Sequence, residues 1–505
     1  MSNPFSHIDN STNRWRDFFE RLKKKAEGGL RSEKLKTPVG YLLLTFFALA
    51  MGFVLASLGD KLGMVFIIGL WGIPVLLACL FQPRFGIIFT TTTSYFILGI
   101  KKYLPGDVPL GLLLDVLMLL MFFGLLIRLM PSRDWRFAQN PVSFMVLIWI
   151  VYNFVELINP AAASQMAWFY TVRSMAGLLL LYYIALYAFD SLDYVKSIIK
   201  LFIALSLLAA LYGLKQEFFG LNSTELAWLH SDKETFELIF QWGRIRIFSF
   251  LSDPTAFGIL MAYMGIFCYL LIPAPIANWK RVGLFVAGSL MMMTMAYSGT
   301  RTAFVIPPIA ILFYAFLTLN KRVLIGTAVF FMFGTLFMMK STSNPVIYRI
   351  QSAFKFKQDA SMQLRLDNQA FIQPFIQAHP LGGGLGSTGI WGKRFSPNSP
   401  LANFPPDSGY VRTAVEQGWL GLLLYCTLLF VVFYCAIRYY VRLQNPEVKA
   451  YFAALFTILF CLTMANYPQE AIILLPNSII FYLTIAALMR LKDFDTPLKN
   501  QQLNN

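Results

Sequence analysis

The chain is short of charge and nearly free of histidine. Only 13% of its 505 residues are Asp, Glu, Lys or Arg, about half the share usual in a soluble globular protein. Three histidines occur, with no HExxH and no Cys–His spacing, so neither a zinc nor a haem site is expected. The five cysteines, Cys79, Cys268, Cys426, Cys435 and Cys461, all fall inside apolar runs. That placement suits packing rather than disulfides or metal ligation. Internal repeats are not evident. Acidic residues are the scarcer sign, and the net charge is +16. Much of that excess sits in the N-terminal tail and in alternate short loops, which orients a membrane protein and does not mark a nucleic-acid surface.

What the chain has is apolar length. Hydrophobic residues make up 57% of it, in continuous runs of about 20 residues flanked by Lys and Arg. Continuous runs read as helices, whereas a barrel would alternate. The expectation is an all-α polytopic membrane protein with about 14 transmembrane helices. They fall near 40–58, 62–81, 85–100, 109–130, 141–158, 168–189, 200–219, 255–273, 282–298, 302–319, 323–339, 418–438, 449–466 and 470–490.

Residues 1–39 form a basic tail in which Trp15, Phe18, Phe19 and Leu22 recur at helical spacing, as an interfacial helix on an anionic leaflet would have them. The tail is too polar for a cleaved signal. Residues 40–339 carry the first eleven spans, 340–417 a large, partly helical outer loop, 418–490 the last three spans and 491–505 a second tail. Loops after even-numbered spans carry Arg84; Arg128, Arg133 and Arg136; Lys196 and Lys200; Lys280 and Arg281; Lys321 and Arg322; Arg438, Arg442 and Lys449. These belong on the cytoplasmic side, with both termini. The stretch "KKYLPGD" at 101–107 resists the rule, and its lysines are expected to snorkel.

Several cations nevertheless fall on the outer side. Arg173 lies in "WFYTVRSMAG", Arg244 and Arg246 precede "IFSFLSDPTAFG", and Arg301 lies in "YSGTRTAF". Arg365, His379, Lys393, Arg394, Asp407, Arg412 and Glu416 belong to the long loop. An arginine near lipid costs about 2–3 kcal/mol, so it is usually paired or functional. Singly, each reads as a surface or snorkelling residue; together on one face they read as an anion site, because guanidinium forks bind phosphate bidentately. A lipid-linked diphosphate would set its phosphates at this depth.

The run "HPLGGGLGSTG" formally satisfies GxGxxG through Gly384, Gly386 and Gly389, but no strand precedes it. It also lacks the Lys-Ser/Thr of a P-loop, so a tight turn with positive φ is the better reading, approaching either a ligand or another helix. In "QLRLDNQAFIQPFIQAHP" apolar residues recur at helical spacing, so a surface helix is expected, with Pro374 bending it or ending its first turns. Asp407 follows Pro405 and Pro406 in "NFPPDSGYVRTAVEQGWLG". Either it acts as a base toward a sugar hydroxyl, or it or Ser408 caps a helix starting near 409. Asp115 is expected to pair with a neighbouring helix, and Glu156 to lie near the outer interface.

In order, "RIRIFSFLSDPTAFGILMAY", "MAYSGTRTAFV", "LRLDNQAFIQPFIQAHPLGGGLGS" and "DSGYVRTAVEQGWLGLLLY" resemble the O-antigen ligase and O-antigen polymerase family over roughly residues 165–440. The resemblance implies a GT-C-like, metal-independent glycosyltransferase without cofactor. It implies action on undecaprenyl-diphosphate-linked oligosaccharide and a glycan acceptor at the periplasmic face of the bacterial inner membrane, with a flippase and a chain-length regulator as possible partners. Carried over by motif, Arg246 and Arg301 would hold the diphosphate. Asp407 would be the catalytic base, standing where ligases show a histidine. Apart from that carry-over, the outer-face residues Arg173, Arg244, Arg365, His379, Tyr410, Arg412 and Glu416 are expected to bind substrate. The departure at Asp407 favours a polymerase of O-antigen or exopolysaccharide repeats. The alternatives are a ligase transferring glycan to a lipid A core or another acceptor, and a lipid-linked saccharide flippase.

Overall fold

The structure, a computed structural model, describes residues 45–46, 69, 72–104, 110–241, 243–340, 342, 345–354 and 360–495. The basic tail, nearly all of the first expected span and the C-terminal tail beyond 495 lie outside the described residues.

Every expected span from the third onward coincides with a helix. Nine helices among the described residues are long and apolar enough to cross a membrane, so the chain is a multi-pass membrane protein. Nearly all of the first expected span and about half of the second lie outside the described residues, and Pro83–Lys101, Asn278–Ser298 and Asn477–Leu491 are not among those nine. The physical reasons are local. Thr90, Thr91, Thr92 and Ser94 dilute Pro83–Lys101, Lys280 and Arg281 open Asn278–Ser298, and Asn477–Leu491 has only 15 residues. The expected 470–490 span therefore starts later, and Glu470 sits in the irregular connection before it.

The Pro254–Leu271 helix is the hub of the bundle, its side chains almost all buried. It packs on Asn278–Ser298, Arg301–Thr318 and Pro446–Ala465. Its start is firmly set: Pro254 stands at the first turn, and Asp253 accepts from the Thr255 and Ala256 amides at 2.7 and 3.0 Å. Gly258 brings this helix against the next hairpin, where an added Cβ would strike Ser298 Oγ and come 2.9 Å from Thr300 Cβ.

Contacts between distant segments sort the helix ends into two sets. At one end Arg84 pairs with Asp190, Lys196 with Glu447 at 2.6 Å, and Arg490 donates to Phe189 O at 3.0 Å. At the other end Gln216 meets the 248–249 backbone, Arg246 meets the 298–300 turn, and Gly409 N donates to Asn466 O at 3.0 Å. Helices 192–219 and 446–465 both run from the first set to the second, so all the arginines flanking that turn and Asp407 share one end.

The segment 220–254, between the seventh and eighth expected spans, is built. It holds helices Ser223–His230 and Lys233–Ile239 and a two-stranded hairpin, Phe240–Gln241 with Arg244–Ile245. The 340–417 segment contributes Pro345–Ser352, Ala360–Ala378 and Gly389–Phe395. Ala360–Ala378 runs on through Pro374, which does not end it.

Candidate functional site: arginines around one turn

The site is centred on Ser298-Gly299-Thr300-Arg301, the tight connection between two helices. Gly299 takes the left-handed conformation, φ +60°, that reverses the chain in so few residues. Thr300 is the residue before the Arg301–Thr318 helix, yet its hydroxyl does not cap it. Instead Thr300 Oγ1 donates to Pro254 O at 2.8 Å and accepts from Arg246 Nη2 at 3.0 Å.

Arg246, 8% exposed, is locked on this turn. Its Nε donates to Ser298 O at 2.9 Å and its Nη1 to Leu238 O at 3.1 Å. All three acceptors are neutral. A guanidinium has five N–H groups, and these contacts use three of those on Arg246. Burial, reinforced by the neighbouring charges of Arg349 and Arg301 and offset by Asp253, pushes its pKa down to about 10. Arg349 approaches from helix Pro345–Ser352. Its Nε donates to Gly299 O and its Nη2 to Gln241 Oε1 at 2.8 Å. Guanidinium groups from two separate segments thus hold one four-residue turn whose last residue is Arg301.

A second, acidic assembly lies at the start of the Gly409–Arg442 helix. Ser408 caps it, accepting from Val411 N at 3.4 Å, so Asp407 is not used as the cap. Asp407 is half-buried and accepts from Asn368 Nδ2 at 3.4 Å. Arg412 bridges two carboxylates, Glu416 at 3.1 Å and Glu470 at 3.1 Å. Glu470 faces Glu416 and Asp407 as well; burial is the main cause that raises its pKa, against the pull of Arg412.

The glycine run docks here. Gly382, Gly384, Gly386 and Gly389 all have positive φ. The long helix breaks at Gly418, φ +69°, where an added Cβ would collide with Pro380 O. Across this break Gly383 N donates to Val415 O at 2.9 Å. Glu416 accepts from Gly386 N at 3.1 Å and from Thr388 Oγ1. The run is thus a packing turn against another helix, and Glu416, 1% exposed, is its clamp.

Several expected site residues are engaged elsewhere. Arg173 sits 3.1 Å from Asp115 Oδ2 between two membrane helices, the neighbour-helix pairing expected of Asp115. Arg244 is paired with Glu217 on the loop hairpin. His379 stacks on Phe375, centroids 4.1 Å apart, with Nδ1 2.9 Å from Phe375 O. Tyr410 donates to Thr463 O at 3.0 Å, tying the acidic assembly to Pro446–Ala465. Arg365 lies half-buried on Ala360–Ala378. Glu156, expected near the interface, is buried and accepts from Asn159 Nδ2 at 2.8 Å. Lys102 does not snorkel: its ammonium lies 4.3 Å from the Trp228 ring and 3.9 Å from that of Phe248, and donates to Leu251 O at 2.6 Å.

Residues 284–426 match the O-antigen ligase family model. The matched region holds Arg301, Arg349, the glycine run, Asp407, Arg412 and Glu416, and it lies inside the 165–440 stretch where the resemblance was read. It supports a lipid-linked glycan ligase or polymerase role. No curated protein matches the chain significantly. Arg246 lies before the O-antigen ligase match and meets it only in space. Arg349 and Glu470 were missed by sequence reasoning. Arg349 sits in a short amphipathic stretch among other polar loop residues, and Glu470 was assigned to a span; the signal available for Glu470 was an acid at the very edge of an apolar run.

Proposed function

We propose that this protein polymerises undecaprenyl-diphosphate-linked oligosaccharide repeats at the periplasmic face of the inner membrane. The observation that carries the reading is the meeting of Arg246 and the Arg301 hairpin on one turn at the loop-rich end. In this reading Arg246 and Arg301 grip the diphosphate. An acceptor hydroxyl attacks the anomeric carbon, its proton passes to Asp407, and the bond from that carbon to the phosphate oxygen breaks. The electron pair leaves with undecaprenyl diphosphate. A single displacement inverts the anomeric centre, and fixed guanidinium charge stabilises the leaving group. Positioning of the two substrates supplies much of the rest.

The ligase alternative draws on the matched family's own description. Asp407, a carboxylate where ligases show a histidine, favours the polymerase. Reconstitution with purified undecaprenyl-diphosphate oligosaccharide separates them. Lengthening of the lipid-linked glycan is expected; transfer only to a separate acceptor makes the protein a ligase, and movement across the bilayer without a covalent product leaves transport alone. Arg301→Ala and Arg246→Lys are expected to lose transfer. Lysine is the better probe at 246, because alanine would take a donor from two buried acceptors, Ser298 O and Thr300 Oγ1, at about 1–3 kcal/mol for a buried group left unsatisfied. Wild-type rates in either variant remove that residue from the site.

A further inference from the structure

We infer that a cavity walled by Trp228, at the same end of the bundle as the arginine turn, is a separate subsite that binds a saccharide of the glycan substrate. The inference rests on the functional reading above for the identity of that saccharide; the cavity and its lining come from the structure. Its volume is about 620 Å³, inside the range of about 300–1,000 Å³ usual for small-ligand sites. Three segments enclose it: the end of helix Pro83–Lys101 with the residues just after it, helix Ser223–His230 with Ser231, and Ser252. These walls are tied to one another and to the bundle. Ser223–His230 starts in a capping box, in which Asn222 Oδ1 accepts from Glu225 N and Asn222 N donates to Glu225 Oε2, both at 2.8 Å. Glu225 Oε1 also accepts from Tyr212 at 3.0 Å and from Gln216 at 2.8 Å, which fixes this wall to helix Leu192–Phe219. Asn222 Nδ2 donates to Tyr103 at 2.8 Å, joining it to the segment after Lys101.

The lining suits a neutral polyol. A pyranose offers an apolar C–H face and a rim of hydroxyls, so it needs an aromatic surface beside mixed donors and acceptors. The half-buried Trp228 supplies the surface. Ser231 Oγ and Ser252 Oγ donate to Trp228 O at 2.7 Å and to Asp253 Oδ2 at 2.6 Å, so each oxygen keeps lone pairs that accept. Among the described residues, Thr224 Oγ1 and Trp228 Nε1 have no hydrogen-bond partner and are left as donors. Neither lysine of the wall is free to clamp an anion. Lys102 donates to Leu251 O at 2.6 Å and lies over the Trp228 and Phe248 rings, and Lys101 is engaged as well. The cavity also adjoins the arginine turn. Asp253, which accepts from Ser252, acts electrostatically on both Lys102 and Arg246. The next residue, Pro254, accepts through its carbonyl from Thr300 Oγ1 of that turn at 2.8 Å. A glycan engaged at the turn thus meets a built sugar surface beside it.

The test is direct binding, by saturation-transfer NMR on the full-length protein in nanodiscs, with the repeat oligosaccharide released from its lipid carrier as the probe. Wild type is expected to bind it. Ala227→Trp, which fills the cavity from an exposed position, is expected to weaken binding by about tenfold or more. Trp228→Phe keeps a ring and loses the N–H, and is expected to weaken binding about twofold to tenfold, as loss of one neutral hydrogen bond does. Arg301→Ala should bind the probe as wild type does, because the probe carries no diphosphate for the arginine turn. No binding by wild type, wild-type affinity in Ala227→Trp, or loss of binding in Arg301→Ala overturns the inference. Displacement of the probe by glycerol 1-phosphate also overturns it and makes the cavity a lipid head-group site. Where Ala227→Trp melts below wild type, Trp228→Phe decides, and unchanged affinity in that variant overturns the inference. Transfer is measured separately: if the wild-type protein lengthens no lipid-linked glycan, the functional reading fails, and oligosaccharide binding still decides the cavity.

Discussion

At the scale of single residues, similar side chains are put to different uses by what surrounds them. Arg173 is neutralised by Asp115 and Arg244 by Glu217, whereas Arg246 meets only neutral acceptors. Asp407 and Ser408 are adjacent, and only Ser408 is spent on capping. Asp407→Asn is therefore expected to slow transfer by about a hundredfold or more, the range for loss of a general base, with the protein still folded; retained turnover would remove Asp407 as base. Lys102 gives a pH prediction. Burial, only partly offset by Asp253 and Glu225, lowers its pKa from 10.5 to about 7. Between those values the unfolded chain holds a proton that the folded protein has lost, so this group makes stability rise with pH across that window and withdraws the gain as pH falls toward 7. Thermal unfolding in detergent should show a smaller rise from pH 7 to 10 in Lys102→Met than in wild type. An identical rise would mean that the ammonium is not desolvated as described.

At the scale of elements, the decisive feature is the break at Gly418. Without it Gly409–Arg442 would be one uninterrupted helix, and Pro380 O could not accept from Leu420 N at 3.3 Å. Gly418→Ala is expected to destabilise the protein by more than the 1–2 kcal/mol of a left-handed alanine, because the methyl also meets the Pro380 carbonyl. A lowered melting temperature with faster amide exchange over the glycine run would show it; unchanged exchange there would mean that the run is held by something other than this break. The helices themselves, from the third expected span on, were legible from apolar length alone. The glycine run was legible as a turn because consecutive glycines without a preceding strand leave few other uses. Its partner was not, since Gly418 lies more than 30 residues further on and the contact is made by backbone.

At the scale of the whole molecule, the two sets of helix ends make a topological prediction. The arginine turn and Asp407 share one end, and the Arg84–Asp190 and Lys196–Glu447 pairs mark the other. If the positive-inside rule orients this bundle, a membrane-impermeant maleimide added to spheroplasts should label Asn398→Cys and spare Gln444→Cys until the membrane is permeabilised. The background should carry Cys426→Ser, since Cys426 is the exposed native thiol among those described. Labelling of Gln444→Cys in intact spheroplasts would invert the orientation and put the arginine turn on the cytoplasmic side.

By itself the sequence determined that this chain lives in a bilayer as helices, because continuous apolar runs leave the backbone no other way to satisfy its hydrogen bonds there. It also determined the order of polar motifs that fall in and around the family match. Only the tertiary structure decided which cations meet at one turn. Arg246, Arg301 and Arg349 are far apart along the chain, and what joins them is a turn whose carbonyls and hydroxyl receive donors from different segments. Such acceptors are backbone or uncharged groups common to many loops, so no residue pattern announces them, and pairing partners such as Asp115 and Glu217 become known only when helices pack.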